Sequence, residues 1–161
     1  MYYINYFFIM SILGHLIEST FFSNNGSGIL YSYWTPIYGI GTIVILIIYK
    51  YVNKLNLKRF LKFITLFIMC AIVLSSVEAI GGYLIKIIFN KELWNYTNHE
   101  LHIGKYTSFE MLLIWGLSSV IFIYIIKPIV DKIIYKIPKI LSLVCISLFI
   151  LDIIITLVIK V

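Results

Sequence analysis

Four ionisable side chains stand inside apolar runs of this 161-residue chain: His15, Glu18, Glu78 and Asp152. A carboxylate near the centre of a bilayer costs about 2.5 to 3.5 kcal/mol on insertion scales, so it is expected to face protein or water and to find a partner. Glu18 and Glu78 lie at similar distances from the outer ends of their predicted helices. Facing inward, the pair could share a proton, bind a cation or meet a polar substrate. The alternative is that each caps a polar network reaching the outer tyrosines, or extends to the interface. His15 shares a helical face with Glu18, so a histidine–carboxylate hydrogen bond is expected there. A metal would need more ligands than this spacing supplies, and His99, Glu100 and His102 in a short polar connection read as solvated. Asp152 fits no pattern; another helix or a second copy of the chain could pair with it.

The elements that must position these groups are membrane helices. The chain is 61% hydrophobic and 12% charged, with mean hydropathy +1.01, too apolar for a soluble domain. Its net charge of +6 falls between apolar runs and reports topology, not a nucleic-acid partner. Runs at 2–22, 33–51, 60–83, 107–126 and 140–159 are each long enough to span a bilayer. The expected fold is therefore all-α, a single polytopic domain over residues 1–161 with five transmembrane helices. The first run has no basic start and no small-residue cleavage site, so it is expected to stay as a helix. Lys50, Lys54, Lys58, Arg59 and Lys62 surround the second connection, and Lys127, Lys132, Lys136 and Lys139 the fourth. The positive-inside rule makes these cytoplasmic, with the N-terminus inside and the C-terminus outside.

That topology brings two unusual segments, SNNGSGILYSYWTP and KELWNYTNHELHIGKYTS, to the outer surface. Residues 28–41 put glycines, a proline, tyrosines and a tryptophan where a span should begin. Pro36 to Tyr51 is too short to cross a core of about 30 Å, so the span is expected to start before the proline, unwound or kinked. Interrupted segments point to membrane sites. The candidate substrate-binding residues are accordingly Tyr31, Trp34, Pro36, Tyr38 and Gly39 from the first segment, Trp94, Asn95, Tyr96 and Lys105 from the second, and Glu18 and Glu78. Interfacial aromatic belts explain such tyrosines and tryptophans one by one, but not their mixture with Gly, Pro, Asn and Thr.

The two hairpins also resemble each other. Each has a late glutamate (Glu18, Glu78), a Gly ahead of a Tyr (Gly28 and Tyr31, Gly104 and Tyr106), and an aromatic–Gly pair in the returning helix (Tyr38-Gly39, Trp115-Gly116). A parallel repeat with the fifth helix added would account for this. Thr107 and Glu110 have capping-box spacing, as do Thr97 and Glu100. Gly39, Gly41, Ser75, Ala79, Gly81, Gly82 and Gly116 would let helices approach closely. Cys70 and Cys145 read as packing residues. Phosphate-loop, dinucleotide and nucleophile-elbow motifs are missing from the sequence, so any ATPase must be a separate chain, and no cofactor is expected.

In order along the chain, Gly14, Glu18, Gly28, Leu30, Tyr31, Pro36-Ile37-Tyr38-Gly39, Glu78, Gly81, Trp94-Asn95-Tyr96-Thr97, Gly104-Lys105, Trp115-Gly116 and Pro128 resemble the motifs of the bacterial family of putative type IV ABC-transporter permeases. The likeness runs from about Gly14 to Pro138. Family members typically carry Trp at His15, Gly-Pro at Ser32-Tyr33, Asp at Asn95 and Arg at Lys105. The resemblance implies a multi-pass protein of the bacterial plasma membrane acting in transport. Five helices make a slim pathway, so the chain is expected to work as an oligomer or with other membrane subunits. Two further readings stay open: a membrane enzyme acting on a lipid or envelope substrate with Glu18 and Glu78 as acid and base, and an accessory protein without a small-molecule site.

Overall fold

The computed structural model describes residues 1–21 and 28–161. The end of the first expected span at Phe22, and Ser23 to Ser27 of the first outer segment, lie outside the described residues. The described residues form five helices: α1 (Tyr2–Phe21), α2 (Pro36–Lys54), α3 (Arg59–Phe89), α4 (Phe109–Ile134) and α5 (Lys139–Lys160). Among the described residues there is no strand, only an isolated antiparallel bridge between His102 and Ser108. Helices α2 to α5 are long and apolar enough to cross a membrane, as in a multi-pass membrane protein. α1, interrupted by Asn5, Ser11, His15 and Glu18, is not among these four.

Helix boundaries depart from the expected ones for local reasons. α2 begins at Pro36, not before it, because proline suits the first helical position and the bends at 28–33 precede it. The expected shortfall is met at the other end, where the helix runs past Tyr51 to Lys54. α3 continues beyond Tyr83 to Phe89 and stops where Asn90 turns left-handed, φ 50°. Its 31 residues extend about 46 Å, more than a hydrocarbon core of about 30 Å. α4 passes through Pro128 without ending. A π-helical turn at Phe122–Ile126 precedes the proline, and the Lys127 N–H bonds back to the Phe122 carbonyl, so the ladder is adjusted where proline would disturb it.

The cap of α4 also differs from the expected one. Ser108 is the N-cap, its hydroxyl accepting from the Met111 N–H at 3.3 Å. Thr107 is unavailable for that role because its hydroxyl donates to Glu78.

The chain divides into two compact units, one of residues 1–42 and 131–161, the other of residues 43–130. In the first, the Tyr2 and Tyr6 hydroxyls donate to Asp131 Oδ1 at 2.9 and 2.8 Å, and the Ser142 hydroxyl to Asn5 Oδ1 at 2.6 Å. Phe7, Phe8, Trp34 and Phe149 form an edge-to-face aromatic cluster. In the second, α3 packs on α4, burying Leu66, Cys70 and Leu74 together with Val120 and Ser119. Gly116 makes this close fit possible, since a Cβ there would stand 2.8 Å from the Phe67 ring.

Candidate functional site

The first unit builds its site on one stripe of α1. Phe7, Ser11, Gly14 and Glu18 recur at helical spacing, and the start of α2 lies against them. A Cβ on Gly14 would meet the Tyr38 ring at 2.3 Å; one on Gly39 would meet Ser11 Oγ at 2.4 Å and the Phe7 carbonyl oxygen at 2.7 Å. Both glycines are therefore required by the helix approach. Tyr38, brought in over Gly14, hydrogen-bonds the half-buried carboxyl of Glu18. Thr35 stands beside the same carboxyl, but its hydroxyl falls short of a full bond and is left without a partner among the described residues.

Two more buried polar atoms of this unit share that condition, Ser11 Oγ and Trp34 Nε1, and in the second unit so does Ser75 Oγ, one turn before Glu78 on α3. Ser11 is 0% and Thr35 5% exposed, and the Thr35 N–H bonds to the Ser11 carbonyl oxygen at 3.1 Å, so these groups belong to one neighbourhood. The large majority of buried side-chain polar atoms in proteins are paired. A hydroxyl on α1, a hydroxyl and an indole N–H before α2, and a carboxyl nearby form a set of donors and acceptors with vacant capacity. His15, on the same helix, meets the Tyr33 ring edge-on at 5.2 Å.

The segment carrying Tyr31 to Thr35 is held by α5. Asp152 accepts from the Tyr31 and Ser32 backbone N–H groups, each at 3.0 Å, and from the Thr156 hydroxyl at 3.3 Å. Lys160 donates to the Ile29 carbonyl and stands 4.1 Å from the Tyr31 ring centroid. Asp152 is buried, 5% exposed. Backbone N–H groups outside regular helices need partners where water is excluded, and Asp152 supplies them for two such groups of the unwound segment. Its partner is thus within the chain. A legible signal existed in Asp152, Thr156 and Lys160, which share one helical face.

In the second unit Glu78 is closed in. It is 5% exposed; Oε1 accepts from the Tyr96 hydroxyl at 3.0 Å and Oε2 from the Thr107 hydroxyl at 3.2 Å, while the Trp115 side chain stands beside the carboxyl. These contacts tie the connection between α3 and α4 down onto both helices. Trp94 Nε1 donates to the Tyr106 carbonyl at 3.2 Å, and the Tyr96 N–H to the Lys105 carbonyl at 2.9 Å. Gly82 admits the Tyr106 ring, which a Cβ would approach to 2.7 Å, and Gly104 turns the chain at φ 73°.

Asn95 and Lys105 lie on the exposed side of this connection. Asn95 Oδ1 accepts from the Thr97 N–H and hydroxyl at 2.9 and 2.8 Å, an Asx-turn. Lys105 donates to Glu92 at 2.7 Å, and Lys86 approaches the same oxygen at 3.5 Å. The hydrogen bond from Lys105 holds the Glu92 carboxyl below the usual carboxylate range, and Glu92 raises Lys105 in turn.

The structure thus brings Glu18, Trp34, Pro36, Tyr38 and Gly39 together in one unit, with Tyr31 anchored to α5, and Glu78, Trp94 and Tyr96 together in the other. Sequence reasoning missed Ser11 and Thr35, although Ser11 falls on the Phe7–Glu18 stripe. Residues 5–157 match the protein family described as Putative ABC-transporter type IV. Comparison with curated proteins and with solved structures gave no match.

Proposed function

The chain belongs to the Putative ABC-transporter type IV family, and from that premise we propose that it is a permease subunit of a bacterial plasma-membrane transporter. In this reading α1 is a fifth span, supported by its 20-residue length and by its pairing with α2 at Gly14 and Gly39. The N-terminus is cytoplasmic and the C-terminus outside, as the basic connections argue. The two hairpins are diverged copies of one unit, and α5 is the addition.

The substrate site is the Glu18 neighbourhood, and the observation that carries this is the group of buried atoms Ser11 Oγ, Trp34 Nε1 and Thr35 Oγ1, which have no partner among the described residues. Their chemistry suits a small polar solute bearing hydroxyl or amine groups, with Glu18 accepting from it. Glu78 holds the second outer segment in shape, so the two glutamates have separate roles and do not form one catalytic acid–base pair. Energy comes from a separate ATPase subunit.

Two measurements test this reading. Affinity purification of the tagged protein from its membrane should recover a nucleotide-hydrolysing subunit, and a panel of small polyols and amines should include solutes that raise the melting temperature of wild type but not of Ser11→Ala or Glu18→Gln. Purification without an ATPase, together with no solute that discriminates wild type from these variants, would overturn it.

A further inference from the structure

The basic end of the second unit has a cleft that the transport reading does not use. Tyr49, Asn53, Leu57, Arg59, Lys62 and Tyr124 line a cavity of about 350 Å³ where α2 ends and α3 begins. No acidic residue lines it. Residues 43–77 carry Lys50, Lys54, Lys58, Arg59 and Lys62 and no acid. The acids of this unit, Glu78, Glu92, Glu100 and Glu110, begin about 28 Å along α3 from Arg59.

Inside the cleft the two cations are placed differently. Lys62 Nζ donates to the Asn53 carbonyl oxygen at 2.7 Å, a neutral partner that orients the ammonium without cancelling its charge. Arg59 makes no ion pair or hydrogen bond among the described residues, which leaves its guanidinium fork free for a bidentate acceptor. Tyr124 comes from the π-helical turn of α4 and stacks on Phe63, ring centroids 6.2 Å apart. Such turns are frequent at functional sites because they re-aim a side chain that a regular helix would direct elsewhere. Two phenols, an amide, an ammonium and a guanidinium converge there. Donors of this kind suit the oxygens of a phosphate group.

The surroundings decide which phosphate. Next in sequence to cleft residues, Phe60 at the start of α3 is 72% exposed and Ile125 in the π-helical turn of α4 is 59% exposed. An apolar wall next to a cationic cleft at a helix end matches a lipid, whose acyl chains run along the helices while its headgroup enters the cleft. We infer that this cleft binds the phosphate of an anionic phospholipid from the bilayer.

The test uses the full-length protein in nanodiscs of mixed phosphatidylglycerol and phosphatidylcholine, with native mass spectrometry reading the lipid retained on release. Wild type should retain phosphatidylglycerol selectively, and Arg59→Gln with Lys62→Gln should lower that selectivity roughly 30-fold, from about 1 kcal/mol for each basic side chain near an anionic surface. Tyr124→Phe should lower it less. Lys50→Gln with Lys54→Gln removes the same charge outside the cleft and should leave most of the retention intact. Melting temperatures of all variants in zwitterionic lipid separate loss of the site from loss of the fold. Equal retention in wild type and the Arg59/Lys62 variant would overturn the inference, and so would an equal loss in the Lys50/Lys54 variant, which would make the effect one of bulk charge. Inorganic phosphate should not displace the lipid. Full displacement by millimolar phosphate, with no preference between the two lipids, would assign the cleft to a soluble phosphate compound and contradict the lipid reading.

Discussion

Glu18 and Glu78 occupy hairpins of common plan that treat their carboxylates in opposite ways. The spacing from Phe7 to Glu18 repeats from Phe67 to Glu78. In each hairpin an aromatic–Gly pair follows on the next helix: Gly39 lies against Phe7 and Gly116 against Phe67, while Tyr38 bonds Glu18 and Trp115 stands beside Glu78. Yet Glu78 is buried with the Tyr96 and Thr107 hydroxyls donating to its two oxygens, and Glu18 is half-buried beside polar atoms that have no partner among the described residues. The difference teaches that an intramembrane carboxylate is not by itself a substrate site. In the proposed reading, what distinguishes a structural carboxylate from a binding one is how far its own oxygens are already taken up by donors of the chain.

Replacing each carboxylate breaks the comparison most sharply. Glu78→Ala strands the hydroxyl donors of Tyr96 and Thr107 in a buried place and should cost about 2 to 3 kcal/mol of stability, read as a lower melting temperature in detergent and faster proteolysis of the 90–108 connection. Glu18→Ala, in a site that is only half-buried, should cost under about 1 kcal/mol while abolishing stabilisation by solute. Similar losses of stability in both variants would make the two carboxylates equivalent.

The glycines sharpen it next. Alanine at Gly39 would meet a backbone carbonyl, which cannot turn aside, whereas alanine at Gly116 would meet the edge of the Phe67 ring. Gly39→Ala should therefore cost about 2 kcal/mol and Gly116→Ala about 1 kcal/mol in the same melting assay. Asp152→Asn comes third. It weakens two charge-assisted hydrogen bonds to the Tyr31 and Ser32 backbone, a loss of about 1 kcal/mol. Labelling of a cysteine placed at Tyr33 should become faster in that background.

The smallest effect belongs to the exposed pair of Lys105 and Glu92. Lys105→Ala should leave the melting temperature unchanged at neutral pH, because screened surface pairs contribute little. The sign of the pH dependence follows from the depressed Glu92 carboxyl. Whatever the pair contributes is present at neutral pH and is lost as pH falls through that lowered value, so a wild-type advantage over Lys105→Ala that grew on acidification would contradict the assignment.

Much of this was legible in the residues. The apolar runs announced helices, the late glutamates announced polar interior positions, and the pairs Tyr38-Gly39 and Trp115-Gly116 announced where helices meet. Boundaries were less readable, since proline acts as a start at Pro36 and is carried through by a π-turn at Pro128, and composition does not separate those outcomes. The α4 cap shifted to Ser108 because a distant partner, Glu78, takes Thr107. Asp152 was visible as an anomaly, but backbone N–H groups leave no mark in a sequence, so its partners could not be named. Ser11 and Thr35 look like ordinary helix-packing residues until the structure shows their hydroxyls unpaired.

The most direct test of the central contrast needs no knowledge of the substrate. A hydrophobic carbodiimide reacts with carboxyl groups it can reach inside the bilayer, and peptide mass spectrometry after brief treatment of native membranes reports each site separately. The account predicts modification at Glu18, with Glu78 protected until the protein unfolds. Modification of Glu78 as fast as that of Glu18, or faster, would contradict it.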